Sequence, residues 1–381
     1  MLTTIVITGE RASWAADWSQ QLEASANAAY LTNPQLVAGS HQSDGSAQLM
    51  VDGNSAVQTD VSQLTVTPRL ASTRYLHETD LDINTGSLDV SYLRKLERGQ
   101  WTLEAVALTD STVTSELGTS GINNVSRRHY ANSVSTGYQY LATERLSWQL
   151  QGSWQDTRYT DAAAYGLTNY SYASLQSGPT WMLSERLQGS LMLETDRISP
   201  QAGTTEKDYS ASLQLKRSFT EQYTWHVSAG ATRVEAEGTS SATSWVAEGG
   251  ASRSGERVQW DLSLKRAVAP IGIGLLAVEN AATASMTVNT SERSTLALAF
   301  NAIHTDPITE FFYLAPGISL SYQAYSGAAW GQLNAEWRHH FSPKWALSLA
   351  ASYARARNYS VAEWADGNQA RLGIVWQSGR L

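Results

Sequence analysis

The sequence predicts an all-β protein: a transmembrane antiparallel up-and-down β-barrel of about 18 strands, with roughly 16 to 20 allowed by uncertain boundaries. Three observations predict it. Apolar and polar residues alternate over long segments, a short polar turn returns at a nearly fixed interval, and tryptophans collect near these turns. The alternating segments have the ~9 to 11 residues of a tilted membrane strand, whereas globular strands usually have ~5 to 6.

The alternation is clearest in residues 146 to 156. Leu146 and Trp148 fall on one face of this predicted strand, and Gln149 and Gln151 fall on the other. A strand with one apolar and one polar face suits a wall that has lipid on one side and water on the other. The same alternation recurs in segments 207 to 218, 258 to 265 and 345 to 358.

A polar hexapeptide with a glutamate near its start marks the predicted short turns. It reads TERLSW at 143–148, SERLQG at 184–189, TEQYTW at 220–225, GERVQW at 255–260 and SERSTL at 291–296. Successive glutamates are 35 to 41 residues apart, which leaves room for two membrane-length strands in each period. The opposite strand ends are joined by longer segments. This asymmetry predicts short periplasmic turns and longer extracellular loops.

The tryptophans near the short turns predict an aromatic girdle. Trp (14) and Tyr (17) far outnumber Phe (5), and a ring with one polar atom suits the boundary between membrane and water. The predicted periplasmic girdle consists of Trp101, Trp148, Trp181, Trp225, Trp260 and Trp345.

The polar face of the strands predicts an aqueous pore, because a barrel of ~16 to 18 strands leaves a channel unless something fills it. The side chains predicted to line this pore are Glu104, Gln149, Gln151, Asp156, Glu194, Gln214, Lys216, Gln259, Asp261 and Lys265. Segments 31 to 60 and 305 to 327 are weakly patterned, so they are candidates to fold inward. Passage of polar solutes is therefore the expected function, with a structural barrel closed by its own side chains as an alternative.

The composition excludes several other functions. The 381 residues contain no Cys, which excludes disulfides and cysteine-ligated metals, and the net charge of −8 does not suggest a nucleic-acid partner. The sequence has no HExxH or GxSxG motif, so we expect no catalytic residues, metal or cofactor. A surface hydrolase remains an alternative; the cluster it would use is His304 with Asp306.

The first residues form a candidate periplasmic tail, 1–17, ahead of a barrel over 18–381. TIVITGER at 4–11 resembles the energy-coupling box of TonB-dependent transporters, which implies strand addition to TonB. The residues of this box would be Thr4, Ile5, Val6, Ile7 and Thr8. The chain is too short for the plug and larger barrel of those transporters, so a TonB-coupled barrel without a full plug is the alternative. The start is a poor signal peptide, and we expect a leader to have been removed.

A second resemblance covers most of the chain from about residue 60. DSTVTSELGTSGINNVSRRHY at 110–130, the pair Arg74 and Tyr75, and the ERL turns resemble a largely uncharacterised family of proteobacterial outer-membrane barrels. Members are often encoded beside exopolysaccharide and exosortase systems. The resemblance implies a Gram-negative outer membrane, passage of saccharides or exopolysaccharide, and a periplasmic export partner.

The last predicted strand indicates how the barrel is inserted into its membrane. QARLGIVWQ at 369–377 partly matches the C-terminal signal read by the barrel assembly machinery. We therefore expect that machinery to act during biogenesis and outer-membrane lipid to surround the mature barrel.

Overall fold

In the described part of the chain, eighteen antiparallel strands form one closed sheet, which confirms the predicted fold. The computed structural model describes residues 16–116, 126–236, 241–308, 327–358 and 363–379. Strands are paired in chain order, and pairing of the first strand with the last closes the ring. The strands are β1 (Asp17–Thr32), β2 (Ser43–Gln58), β3 (Ser62–Tyr75), β4 (Ile83–Leu96), β5 (Gly99–Ser111), β6 (Arg128–Leu141), β7 (Leu146–Tyr159), β8 (Tyr170–Ser184), β9 (Leu187–Pro200), β10 (Glu206–Ser218), β11 (Tyr223–Ala236), β12 (Ala242–Ser254), β13 (Val258–Ile271), β14 (Leu275–Ser291), β15 (Ser294–Pro307), β16 (Ala328–His340), β17 (Trp345–Asn358) and β18 (Ala365–Gln377).

The two ends of the barrel differ as the sequence predicts. Connections at one end are as short as residues 97–98 and 185–186, whereas those at the other include 33–42 and 112–127. The long connections carry an α-helix, α1 (Thr112–Ser115), and two 3-10 helices, Thr79–Leu81 and Ala162–Tyr165. Within the described ranges, no helix is long and apolar enough to cross a membrane.

The weakly patterned segments have different outcomes. Most of segment 31 to 60 is strand, since β1 ends at Thr32 and β2 covers Ser43–Gln58. Its second half contains Gly53, Asn54 and Ser55, whose small or polar side chains obscure the alternation. Of segment 305 to 327, residues 309–326 lie outside the described part of the chain.

Contacts between strands that are not neighbours identify the inner face. Arg338 on β16 lies 3.3 Å from Glu23 on β1, although β17 and β18 separate these strands in the sheet. Only the concave side of a closed sheet brings such side chains together. Alternation then assigns every other position of each paired strand to the lumen and the rest to the exterior.

The predicted girdle tryptophans all lie on the outer face, near the short-turn ends of their strands. An indole N–H that faces lipid must find a partner close by. Trp101 Nε1 donates to Thr136 Oγ1 and Trp148 Nε1 donates to Ser177 Oγ, each at 2.8 Å. These outward hydroxyls let the indoles sit at the membrane boundary without an unsatisfied donor.

The Trp148 hydrogen bond gives a stability prediction. Trp148→Phe keeps the ring but loses the donor, so we expect a loss of about 1 kcal/mol in the free energy of unfolding. Trp148→Ala also loses the buried ring surface and should cost about 2 to 3 kcal/mol. Urea unfolding in lipid vesicles measures both. Ser177→Ala is the matched control: if it costs nothing, the hydrogen bond does not contribute.

Candidate functional site

The strand register places the predicted pore residues on the inner face of the barrel, with one exception. On the inner face lie Glu104, Gln149, Gln151, Glu194, Gln214, Lys216, Gln259, Asp261 and Lys265. These residues come from five strands, and most lie at mid-depth or toward the short turns. That they line a path for solutes stays a prediction.

Asp156 is the exception, and its assignment to the lumen is wrong. It lies an even number of residues from Trp148 and Trp154, which are half exposed on the outer face. On this face it accepts a hydrogen bond from Arg158 Nε at 2.7 Å, near the long-loop end of β7. An ion pair at this height lies above the apolar belt, so the outer face tolerates it.

Carboxylates dominate the inner face of the described strands. The register places these acidic side chains there: Asp17, Glu23, Asp44, Asp52, Asp89, Glu104, Asp110, Glu194, Asp196, Glu206, Asp208, Glu248, Asp261, Glu279 and Glu336. The Lys and Arg side chains on the same face are fewer: Arg69, Lys95, Lys216, Lys265, Arg338 and Arg371. In a water-filled lumen with low-dielectric walls, such an excess of carboxylates would make the potential negative.

The acidic side chains are most concentrated on β9 and β10. Asp196 stands directly opposite Asp208 across this strand pair, and Glu194 faces the lumen two residues away. Thr232 Oγ1 donates to Asp208 at 2.8 Å, and Ser174 Oγ donates to Glu194 at 3.1 Å. One buried oxygen each of Asp196 and Asp208 has no hydrogen-bond partner within the described residues. Like charges directly opposite one another repel, so either a nearby cation or a proton shared by the two carboxyls would stabilise this pair.

Opposite charges brace another part of the inner wall. Arg338 bridges Glu23 and Glu336, and Arg371 Nη2 donates to the second oxygen of Glu336 at 3.1 Å. Gln377 Nε2 also donates to Glu23 at 2.8 Å. The network links β16, β18 and β1, which include the strand pair that closes the ring.

The tip of the β13–β14 hairpin, residues 271–276, folds inward over the long-loop mouth; we call it the mouth cover. Its Gly272 carbonyl accepts a hydrogen bond from Thr168 N at 2.9 Å, in the β7–β8 connection. Leu276 N donates to Glu206 at 2.7 Å. Glu116, just after α1, approaches Gly272 so closely that a Cβ there would lie 2.1 Å from its Oε2. Because β5 and β14 are half the ring apart, this contact joins connections from opposite sides of the mouth.

Apolar contacts hold the mouth cover in place. Leu276 packs in a buried cluster with Tyr159, Leu167, Ile198 and Val234, contributed by four other parts of the chain. Leu276 is 2% exposed, in contrast to the half-exposed apolar residues that face lipid lower on the barrel. The cover is therefore packed against the wall and not suspended in solvent.

A second long connection also packs inward. Leu36, between β1 and β2, lies in a buried cluster with Ala356 and Ala365, and Trp330 packs against this cluster. Asn33 Nδ2 donates to the carbonyl of Asp366 at 3.0 Å. Part of the weakly patterned segment 31 to 60 therefore folds inward.

Two further predicted sites lie away from the lumen or outside the described chain. His304 and Asp306 form an ion pair at 2.9 Å, and the register places both on the outer face near the long loops. The TonB-box residues 4–8 lie outside the described residues, so coupling to TonB stays a prediction.

A closed sheet with an apolar, tryptophan-rimmed exterior and a charged interior defines a transmembrane β-barrel of the bacterial outer membrane. Its fold is similar to that of solved barrels. One is OccAB3 of Acinetobacter baumannii, with 10% identity over 95% of this chain and 99% of that chain and a TM-score of 0.43. Another is OprD of Pseudomonas aeruginosa, with 12% identity over 94% of this chain and 95% of that chain and a TM-score of 0.42. A third is the outer membrane protein OpdK of Pseudomonas aeruginosa, with 10% identity over 95% of this chain and 98% of that chain and a TM-score of 0.46. No family model and no curated protein matches the chain. The likeness is one of fold, and the association with exopolysaccharide systems stays a prediction.

Proposed function

We propose that the protein is an outer-membrane channel that passes small polar solutes and favours cations over anions. The observation that carries the proposal is the excess of inward carboxylates, concentrated where Asp196 faces Asp208. Acidic rings select cations because they replace hydration and repel anions along the path. The mouth cover narrows the entrance from the long-loop side, which favours small solutes.

The test is single-channel recording of the full chain in planar bilayers. Under a KCl gradient, the reversal potential should have the sign of a cation-preferring pore. Protein-free bilayers and a heat-denatured sample are the controls. A bilayer that stays closed at every voltage would contradict the channel, and a reversal potential of the opposite sign would contradict the cation preference alone.

Passage of saccharides or exopolysaccharide is a narrower proposal. Support for it comes from the sequence resemblance and from the inward amides of Gln149, Gln151, Gln214 and Gln259, which can hydrogen-bond sugar hydroxyls. In the same bilayers, a neutral maltooligosaccharide should interrupt the open-channel current. A current that is unchanged at millimolar sugar would remove saccharides from the candidate solutes and leave the channel itself unaffected.

A further inference from the structure

The lipid-facing wall carries a groove across β11 to β17, with a cavity volume of about 860 Å³; we call it the outer groove. Its floor is a row of small residues, because Ala282, Ala302 and Gly331 are direct cross-strand neighbours on β14, β15 and β16. Leu264 ends this row on one side and Arg355 ends it on the other. The floor is therefore continuous across three strands.

A row of large apolar residues borders the groove on the short-turn side. Phe300, Leu333 and Tyr353 are cross-strand neighbours one step below the floor. They are 41%, 52% and 42% exposed, respectively, so they project into the membrane beside residues that have almost no side chain. A floor of small residues bordered by large apolar side chains accommodates acyl chains.

Arginines border the groove toward the long loops. Arg266 lies with its Cζ 4.4 Å from the Trp245 ring centroid, and its Nη1 donates to Asn280 at 2.7 Å. Arg355 lies 4.5 Å from the Trp364 ring centroid. Stacking on an aromatic face fixes a guanidinium and leaves its N–H edge directed sideways, which is the geometry that binds phosphate. The long-loop side faces the outer leaflet, so these cations lie at headgroup height.

The spacing of the two arginines indicates the kind of lipid. Four strand intervals separate β13 from β17, which at ~4.8 Å each places the two backbones roughly 19 Å apart. Both side chains extend from the outer face. Two carboxylates lie nearby: Asp306, which is paired with His304 on β15, and Asp366, which stands opposite Arg355. A lipid whose headgroup carries two separated phosphates and several acyl chains spans such a site better than a lipid with one phosphate and two acyl chains.

We propose that the outer groove binds a bisphosphorylated, multiply acylated glycolipid of the outer leaflet. The acyl chains lie on the Ala282, Ala302 and Gly331 floor, and the phosphates contact Arg266 and Arg355. The site is independent of the lumen, so it holds whether or not the barrel conducts.

The test measures retention of bisphosphorylated lipid A by the purified full chain, using native mass spectrometry from a mild detergent. Two variants address the two halves of the site: the double variant Arg266→Gln with Arg355→Gln, and Ala302→Trp, which fills the floor. Loss of two charge-assisted contacts should weaken retention roughly ten-fold or more. Ala302→Trp should weaken it comparably by excluding the chains.

Matched controls use outward positions away from the groove. Arg197→Gln removes a cation at the long-loop end of β9, and Ala105→Trp adds a ring on the outer face of β5; neither should change retention. Heat-modified gel mobility confirms that each variant remains a folded barrel. Equal retention of lipid A by all variants would overturn the proposal, because ordinary surrounding lipid would explain it. Equal retention of lipid A with and without its phosphates would overturn it for the same reason. A dimer in light scattering that Ala302→Trp dissociates would overturn it in favour of a second copy in the groove.

Discussion

Converting Glu194, Asp196 and Asp208 to their amides should lower the cation preference of the channel several-fold. These residues place three closely spaced carboxyl groups on one part of the inner wall, where Asp196 faces Asp208 directly. The amides keep the size and hydrogen-bonding capacity of the side chains but remove the charge that attracts cations. The reversal potential under a KCl gradient reports the change. Conductance should also fall at low salt, where charges concentrate counterions most.

An outward acid provides the control for this triple variant. Glu235 pairs with Arg233 at 3.0 Å on the outer face of β11, so Glu235→Gln should leave the reversal potential unchanged. The triple amide variant should unfold at the same urea concentration as the parent or higher, because it removes repulsion between opposed like charges. An unchanged reversal potential in a folded triple variant would show that selectivity arises elsewhere.

Gly272→Leu should enlarge the single-channel conductance by displacing the mouth cover. A Cβ at this position would lie 2.1 Å from Oε2 and 2.5 Å from Cδ of Glu116, and Glu116 is itself buried and accepts a hydrogen bond from Tyr159 Oη. Either the Glu116 carboxylate leaves its contact with Tyr159 or the hairpin tip moves, and in both cases the cover loses packing against Glu116. Gly152→Leu is the matched control: its Cβ would meet nothing closer than 3.8 Å on the outer face of β7.

A cysteine pair provides the opposite test, because it fixes the mouth cover in place and does not displace it. The natural chain has no Cys, so Glu116→Cys with Gly272→Cys introduces the only two thiols. Their disulfide should hold the cover across the mouth and abolish any larger-conductance state, and a reductant should restore it. If the oxidised pair and Gly272→Leu both conduct like the parent, the cover lies away from the solute path.

The strand number and the two faces were predictable because alternation and turn spacing are local signals. The ~36-residue recurrence of the glutamate turns is enough to count strand pairs. Asp156 departs from the prediction because a polar side chain favours the lumen, whereas its position gives it the parity of Trp154 on the outer face.

The mouth cover and the acidic pair depend on information that is not local. AVAPIGIGLLAV, residues 267–278, is apolar at both odd and even positions, and this departure from alternation is a usable sign of burial on both faces. It does not reveal which partners bury it. Likewise, Asp196 and Asp208 become neighbours only through the register of the β9–β10 hairpin.

The pairing of β1 with β18 has a consequence for biogenesis. This seam joins the earliest and latest strands, from Glu23 opposite Gln377 to Leu31 opposite Gln369, so no shorter stretch of the chain can complete the ring. Until the final strand is in place, two sheet edges expose unpaired amides and carbonyls, which hydrocarbon does not tolerate. We therefore expect closure of the barrel to be a single late event, during which both edges need shielding from hydrocarbon until they pair.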